Sequence, residues 1–363
     1  MRLIVLLIVL TEGLLTAQSA LKTSLHDLLQ TEWTQNQFSG VLLVAKNGKP
    51  IIYEAQGYAD FKNKKKLTKK NIFELASVSK QFTSMIIMML KERGSLSYDE
   101  SLERYIPYLP YKGITIRQLL THTSGIPDYQ AIMDEHWDKN KIADNLDVID
   151  YLKKYPQPIL FKPGEKYQYS NTGYLLLASI AEAAAGKDFI DMVKTQIFKP
   201  LKMKSADFRT PSSRLKISSF ATGHVYDESL KSYQHADDYK ESNYTIWLGH
   251  RKGPGRISMN ANDLLKWDRA LYTPILVART TLDEAWTPQK LNNGILSQYG
   301  FGWELSQHLK LGKIVAHSGD NPGYKTYIKR YIDEKYTVIL LNNNASDRMR
   351  PILEKIEDLL AKY

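Results

Sequence analysis

The 363-residue chain contains no cysteine. That absence excludes disulfides, a thiol nucleophile, a cysteine-zinc site and a lipid-modified cysteine at an export cleavage point. The chain also lacks an N-terminal apolar run of the ~20 residues a bilayer crossing requires, since Leu3–Leu10 is soon followed by Glu12. No internal repeat, low-complexity segment, Gly-x-Ser-x-Gly elbow or His-Glu-x-x-His pair is present. His235 with Asp237 and Asp238 offers ligand-type side chains without a three-ligand spacing, so neither a metal nor a cofactor is expected.

What is present starts with Arg2, the apolar Leu3–Leu10, and then Thr16, Ala17, Gln18, Ser19 and Ala20. A charged start, an apolar middle and a small-residue end read as a secretory signal peptide over residues 1–19, cut near Ala17 or Ser19. The mature chain is expected in the periplasm or secreted, with no stable membrane span. Its formal charge of +10 survives the cut because Arg2 and Glu12 cancel. Export makes nucleic acid an unexpected partner. The basic stretch Lys62–Lys70 reads as a solvated loop, with contact to an anionic envelope polymer as the lesser reading. A hydrophobic content of 43% can fill one large domain or two lobes sharing a cleft.

Patterning places a helix over 24–34, then a hairpin from Gly40–Ala45 through Lys46-Asn47-Gly48-Lys49 to Pro50–Tyr53. Helical periodicity follows at Phe82–Leu90, Ile116–Leu120, Val148–Tyr155 and Tyr174–Ala185, with Gly94 and Gly186 as terminators. Strands return at Lys313–His317, Tyr324–Tyr331 and Tyr336–Asn342, before a last helix at Met349–Leu360. The expected class is α+β: an antiparallel sheet from both chain ends, flanked by helices, with an inserted, mainly helical lobe. As a single domain over 20–363, its α/β lobe takes about 20–70 and 255–363 and its helical lobe about 71–254.

Three motifs carry candidate chemistry. Ser77-Val78-Ser79-Lys80 puts a hydroxyl and an amine on one helix face, where desolvation lowers the lysine pKa and the amine can accept the serine proton. Ser-x-x-Lys also occurs at Ser19/Lys22 and Ser213/Lys216, but only Ser77 precedes a helix apolar nearly all round. A capping serine beside a solvated lysine is the plain alternative. Tyr169-Ser170-Asn171 offers a phenol that a lysine cation would depress into the range of a base, and an amide for a substrate amide. A buried loop tyrosine is the alternative here. His317-Ser318-Gly319 ends an apolar segment that could line a cleft as an edge strand, with the Asp320 amide as an oxyanion donor. His122 beside Ser124 lies in a tight turn where the two side chains do not face each other, so it reads as structural.

In combination and order, these motifs resemble the serine β-lactamase and penicillin-binding superfamily. The tyrosine in the second motif is similar to the class C β-lactamase branch, which includes related DD-carboxypeptidases, D-aminopeptidases and esterases. Leu119–Pro127, Tyr299–Trp303 and Pro322-Gly323-Tyr324 resemble further strips of that branch, so the likeness spans about 25–363. The resemblance implies an acyl-enzyme on Ser77, with Lys80 and Tyr169 moving protons and Asn171, His317, Ser318, Gly319 and Asp320 holding substrate. The substrate would be a small molecule or a peptide, cell-wall peptide included. A carboxylesterase of the same fold and a non-catalytic penicillin-binding-like scaffold stay open as alternatives. His317 stands where β-lactamases of this branch carry lysine; partly charged near ~6.5, it would hold a substrate carboxylate less firmly than an ammonium does.

Overall fold

The computed structural model describes the backbone of residues 2–239 and 243–363, with side chains from Ala17 onward. Most of the expected signal segment therefore lies outside the described side chains. Helix α1 (Arg2–Asn36) leads into strands β1 (Gly40–Lys46), β2 (Lys49–Gln56) and β3 (Tyr58–Asp60). Helix α2 (Lys80–Glu92) and helix α3 (Asn171–Ala185) cross the middle of the chain. A hairpin of β4 (His224–Asp227) and β5 (Ser232–His235) follows, then strands β6 (Glu304–His308), β7 (Gly312–Asn321), β8 (Tyr324–Tyr331) and β9 (Tyr336–Asn342), and helix α4 (Met349–Lys362). Among the described residues, no helix is long and apolar enough to cross a membrane.

Six strands form one antiparallel sheet in the order β6-β7-β8-β9-β1-β2, which joins the two chain ends through Gly40↔Asn342 to Lys46↔Tyr336. Both faces are covered, as the period-2 alternation of side chains requires. Leu42, Val44, Val338 and Leu340 pack under α1 and α4 against Leu21, Leu25, Leu29, Ile352 and Ile356. Val41, Leu43, Ile339 and Leu341 face the other way, into a larger core shared with α2 and α3. Arg348 and Lys355 reach Glu32 at 2.9 Å each, tying the fully buried Glu32 of α1 to the segment that opens α4 and to α4 itself. The mixed α+β architecture and its sheet from both chain ends are those expected from the sequence.

Helix α2 is buried from Lys80 to Leu90, so the residues at its N-terminal end are fixed in the core rather than in solvent. Gly186 ends α3 in the left-handed region at φ 63°, where a glycine carries no Cβ penalty. β6 is the outermost strand, but it pairs with β7 from Gly312 only as far as Ala316, so the third motif itself lies at an edge of the sheet, as expected. Residues 317–321 beyond that point keep a free side toward the cleft. Lys62–Lys64 lie in an exposed turn, and Lys65–Lys66 form a short exposed strand paired with β3.

Candidate active site

Ser77 sits in a 3₁₀ turn (Ala76–Ser79) immediately before α2, where the first amides have no intrahelical partner. Ala76 adopts φ 48°, an uncommon conformation for a residue with a Cβ, and turns the chain into the nucleophile position. The turn is clamped to the sheet by the Thr326 hydroxyl, which donates to the Leu75 carbonyl at 2.8 Å. Gly319 lies against the same carbonyl, and a Cβ there would come within 2.2 Å of it. Glycine at 319 thus lets β7 pack directly on the serine turn.

The Lys80 amine lies 3.0 Å from Ser77 Oγ, 2.9 Å from Asn171 Oδ1 and 3.0 Å from the Pro254 carbonyl. Burial drives its pKa well below the lysine range, Asp128 pulls it back up, and Arg251 lowers it further. A neutral amine has two hydrogens and one lone pair. Asn171 Oδ1 and the Pro254 carbonyl accept the two hydrogens, which leaves the lone pair aimed at the Ser77 hydroxyl. Asn171 is fixed in turn by its own amide, which donates to Asp128 at 2.9 Å.

Tyr169 shows 37% of its surface. Its hydroxyl points inward to Ser77, and burial raises the phenol pKa well above its ordinary value although the Ser77 hydrogen bond lowers it. A depressed phenolate is therefore corrected to a protonated phenol. The physical reason is that Lys80, 4.7 Å from the Tyr169 ring centroid, is itself held toward the neutral form and supplies no strong positive field. The His122 ring lies 4.3 Å from that of Tyr169, and His122 Nδ1 accepts from the Ser170 amide at 3.1 Å. His122 supports the tyrosine and does not activate a serine.

The third motif divides its work. His317 is buried, with Nε2 2.7 Å from the Tyr299 hydroxyl and Nδ1 2.5 Å from the Ser318 carbonyl. A carbonyl only accepts, so Nδ1 carries the proton and Nε2 accepts from Tyr299. Burial pushes His317 down to about 4, with Glu304 opposing and Lys80 adding to the fall. The expected partial charge near neutrality is corrected to a neutral imidazole. Ser318 is exposed and donates to Glu304 at 3.1 Å, while its amide approaches the same carboxylate at 3.5 Å. Amide directions alternate along a strand, so the Asp320 amide faces the same free side.

A cavity of about 480 Å³ is lined by Ser77, Asn171, Asp320, Arg251 and Tyr244 among others. Ser77, Lys80, Tyr169 and Asn171 are thus brought together, Asp320 joins them across the cleft, and the His317 ring is buried on Tyr299 with its centroid 6.3 Å from that of Tyr169. Pro254, Tyr299, Glu304 and Asp128 were not singled out as site residues. Asp128 could have been noticed as an N-cap ahead of the helix at Tyr129–His136. The Pro254 carbonyl leaves no side-chain signal. Two outcomes follow for pH: acylation should rise with pH through an ionisation well below the usual lysine range, because only neutral Lys80 accepts a proton. The preference between carboxylate-bearing and neutral substrates should stay flat from about pH 5.5 to 8.5, since His317 does not titrate near ~6.5. Stopped-flow acylation across that range checks both.

A serine at the start of a buried helix, a desolvated lysine one turn on and a tyrosine above them, beside an antiparallel sheet, define the penicillin-recognising class of serine-site fold. The chain belongs to the Beta-lactamase family, whose pattern matches residues 25–361. It is 40% identical over 341 residues to penicillin-binding protein 4* of Bacillus subtilis (strain 168), covering 93% of this chain and 75% of that protein. Over 318 residues it is 27% identical to a D-aminopeptidase of Brucella anthropi, covering 84% of this chain and 56% of that protein. The fold matches the crystal structure of a penicillin-binding protein from Bacillus halodurans at a TM-score of 0.79 and 24% identity, covering 92% and 98% of the two chains. Members of the family are serine hydrolases.

Proposed function

We propose that the chain is an exported hydrolase that cleaves amide bonds in small or peptide substrates through an acyl-enzyme on Ser77. The observation that carries this reading is the Lys80 amine held by Asn171 and Pro254 at 3.0 Å from Ser77 Oγ. Ser77 attacks the carbonyl carbon while its proton passes to Lys80. The amides of Ser77 and Asp320 stabilise the oxyanion. The C–N bond then breaks as Tyr169 donates its hydroxyl proton to the leaving nitrogen and recovers one from Lys80. Water repeats the sequence in reverse to release the acid. Asn171 Nδ2, with Oδ1 engaged by Lys80, is left to donate to a substrate carbonyl.

A scaffold protein has no use for a lysine desolvated beside a serine, so the convergence favours the enzyme. The neutral His317 and the Glu304 carboxylate beside Ser318 argue against a substrate whose free carboxylate must rest on the third motif. D-Amino-acid amides and peptides fit that polarity better than β-lactams, in keeping with the D-aminopeptidase relative. Turnover of D-alanyl amides and peptides, a chromogenic cephalosporin and aryl esters ranks these classes, with mass spectrometry locating the adduct. Rapid cephalosporin turnover with slow amide cleavage would reverse the ranking.

Tyr169→Phe separates the proton-transfer roles. Amide cleavage should fall by about 10²–10⁴-fold, the range for loss of a positioned acid. Cleavage of an aryl ester should fall far less, because a phenolate leaves without protonation. Equal losses on both substrates would make Tyr169 a purely structural residue. Export is inferred from the N-terminal segment, and the packing is compatible with it: Gln18, Ser19 and Ala20 are exposed, and among the described side chains the first buried one is Leu21. Intact-mass analysis of exported protein should find Met1–Ala17 missing.

A further inference from the structure

Away from the Ser77 cleft, β4 and β5 place His224 and His235 opposite each other as cross-strand partners. Asp60, at the end of β3, faces both: its Oδ1 is 4.0 Å from His224 Nε2 and 3.9 Å from His235 Nε2. One ligand-type atom from each of the three residues lies within 4.8 Å of the other two. His224 is fully buried, and its Nε2, the nitrogen that faces Asp60, receives only a long 3.3 Å contact from the Phe61 amide, while the buried Nε2 of His235 has no hydrogen-bond partner. Buried ring nitrogens without partners are uncommon in a folded protein and call for a ligand or an explanation.

We propose that Asp60, His224 and His235 form a binding site for one divalent transition-metal ion of the zinc type. Two imidazoles and one carboxylate favour zinc, cobalt or nickel over calcium and magnesium, which require oxygen donors. Asn63 orients the carboxylate, donating from its amide to Oδ1 at 3.1 Å and from Nδ2 to Oδ2 at 2.7 Å. Ligation would replace the long Phe61 contact at His224 Nε2, while the backbone of Thr222 and Asn343 also engages the ring. Zinc–nitrogen bonds of about 2.0–2.1 Å set the edge of a tetrahedron near ~3.3 Å, so the Asp60 contacts must close by about 0.7 Å and the contact between the two histidines by at most ~1.5 Å, which side-chain rotation can supply.

Three protein ligands leave the fourth position open. It faces a cavity of about 240 Å³ lined by Asp60, His235, Asp237, Lys65 and Arg214. The two cations there are already engaged: Arg214 pairs with Glu74 and Asp237, and Lys65 donates to the Ser218 carbonyl. No residue of the trio lines the Ser77 cavity. The His235-Asp237-Asp238 grouping in the sequence missed this site because the third ligand comes from β3, far earlier in the chain.

The test uses the full chain without a histidine tag, stripped with a chelator and titrated with Zn²⁺ by calorimetry and with Co²⁺ by visible absorption. One ion per chain and the ligand-field bands of four-coordinate Co²⁺ are expected. His235→Ala and Asp60→Asn should each weaken Zn²⁺ binding by at least the ~10–100-fold that loss of even an outer supporting partner costs. Ser77→Ala should leave it unchanged. Should His235→Ala fail to fold, Asp60→Asn, which preserves shape and a hydrogen-bonding oxygen, decides alone. Absence of saturable binding, or equal affinity in wild type and the variants, overturns the proposal.

Discussion

Ser77→Ala is expected to lower turnover by on the order of 10⁴–10⁶-fold, and Lys80→Ala by nearly as much. The double variant should be no worse than the poorer single one, because the amine has no function without the hydroxyl it deprotonates. The geometry dictates this dependence: Lys80 spends two of its three hydrogen-bonding directions on Asn171 and Pro254 and only the third on Ser77. Fold retention in Ser77→Ala, read by circular dichroism, makes the loss chemical; a capping contribution at a helix start is at most about 2 kcal/mol. Losses that multiply in the double variant would mean that Lys80 acts on something other than Ser77.

The second large effect concerns stability. Arg330 of β8 donates to Asp268 at 2.6 Å, and neither side chain is exposed at all. The guanidinium lies over the rings of Tyr272 and Trp286, with its carbon 4.6 and 4.8 Å from their centroids. Removing one partner leaves a desolvated charge, so Asp268→Ala should destabilise the protein by about 3–5 kcal/mol. Replacing both, as Asp268→Leu with Arg330→Met, should recover most of that loss because neither charge then remains buried. Denaturant midpoints for the two variants and wild type test this. A double variant as unstable as Asp268→Ala would show that aromatic stacking, rather than charge pairing, holds the arginine.

Much of this was legible from residue order, for reasons particular to each element. The alternation in Tyr324–Tyr331 and the continuous apolar run in Tyr336–Asn342 match strands with the same bounds, the second because both faces of the sheet are covered there. Ser77 and Lys80 were found by helical spacing, which is local. What spacing could not supply was the environment. The burial of His317 comes from Tyr299 and the packed strand around it, and the raised phenol of Tyr169 from burial beside a lysine that is itself desolvated. The Pro254 carbonyl is a backbone group, invisible to any side-chain pattern. Asp60 and His224 meet only because β3 and the β4–β5 hairpin come together in space.

The pairing of β1 with β9 has a consequence for the order of events in the cell. The Asn342 side chain donates to the Ser39 carbonyl across 303 residues, and β1 has β9 as one of its two partners. During synthesis β1 and β2 can form their hairpin, but the central strand stays open on its other edge until residues 336–342 exist. Closing so long a loop is slow relative to local contacts. The polypeptide therefore remains without its completed sheet until residues 336–342 have been made, and through all the synthesis that separates them from β1 the hairpin carries one unpaired edge.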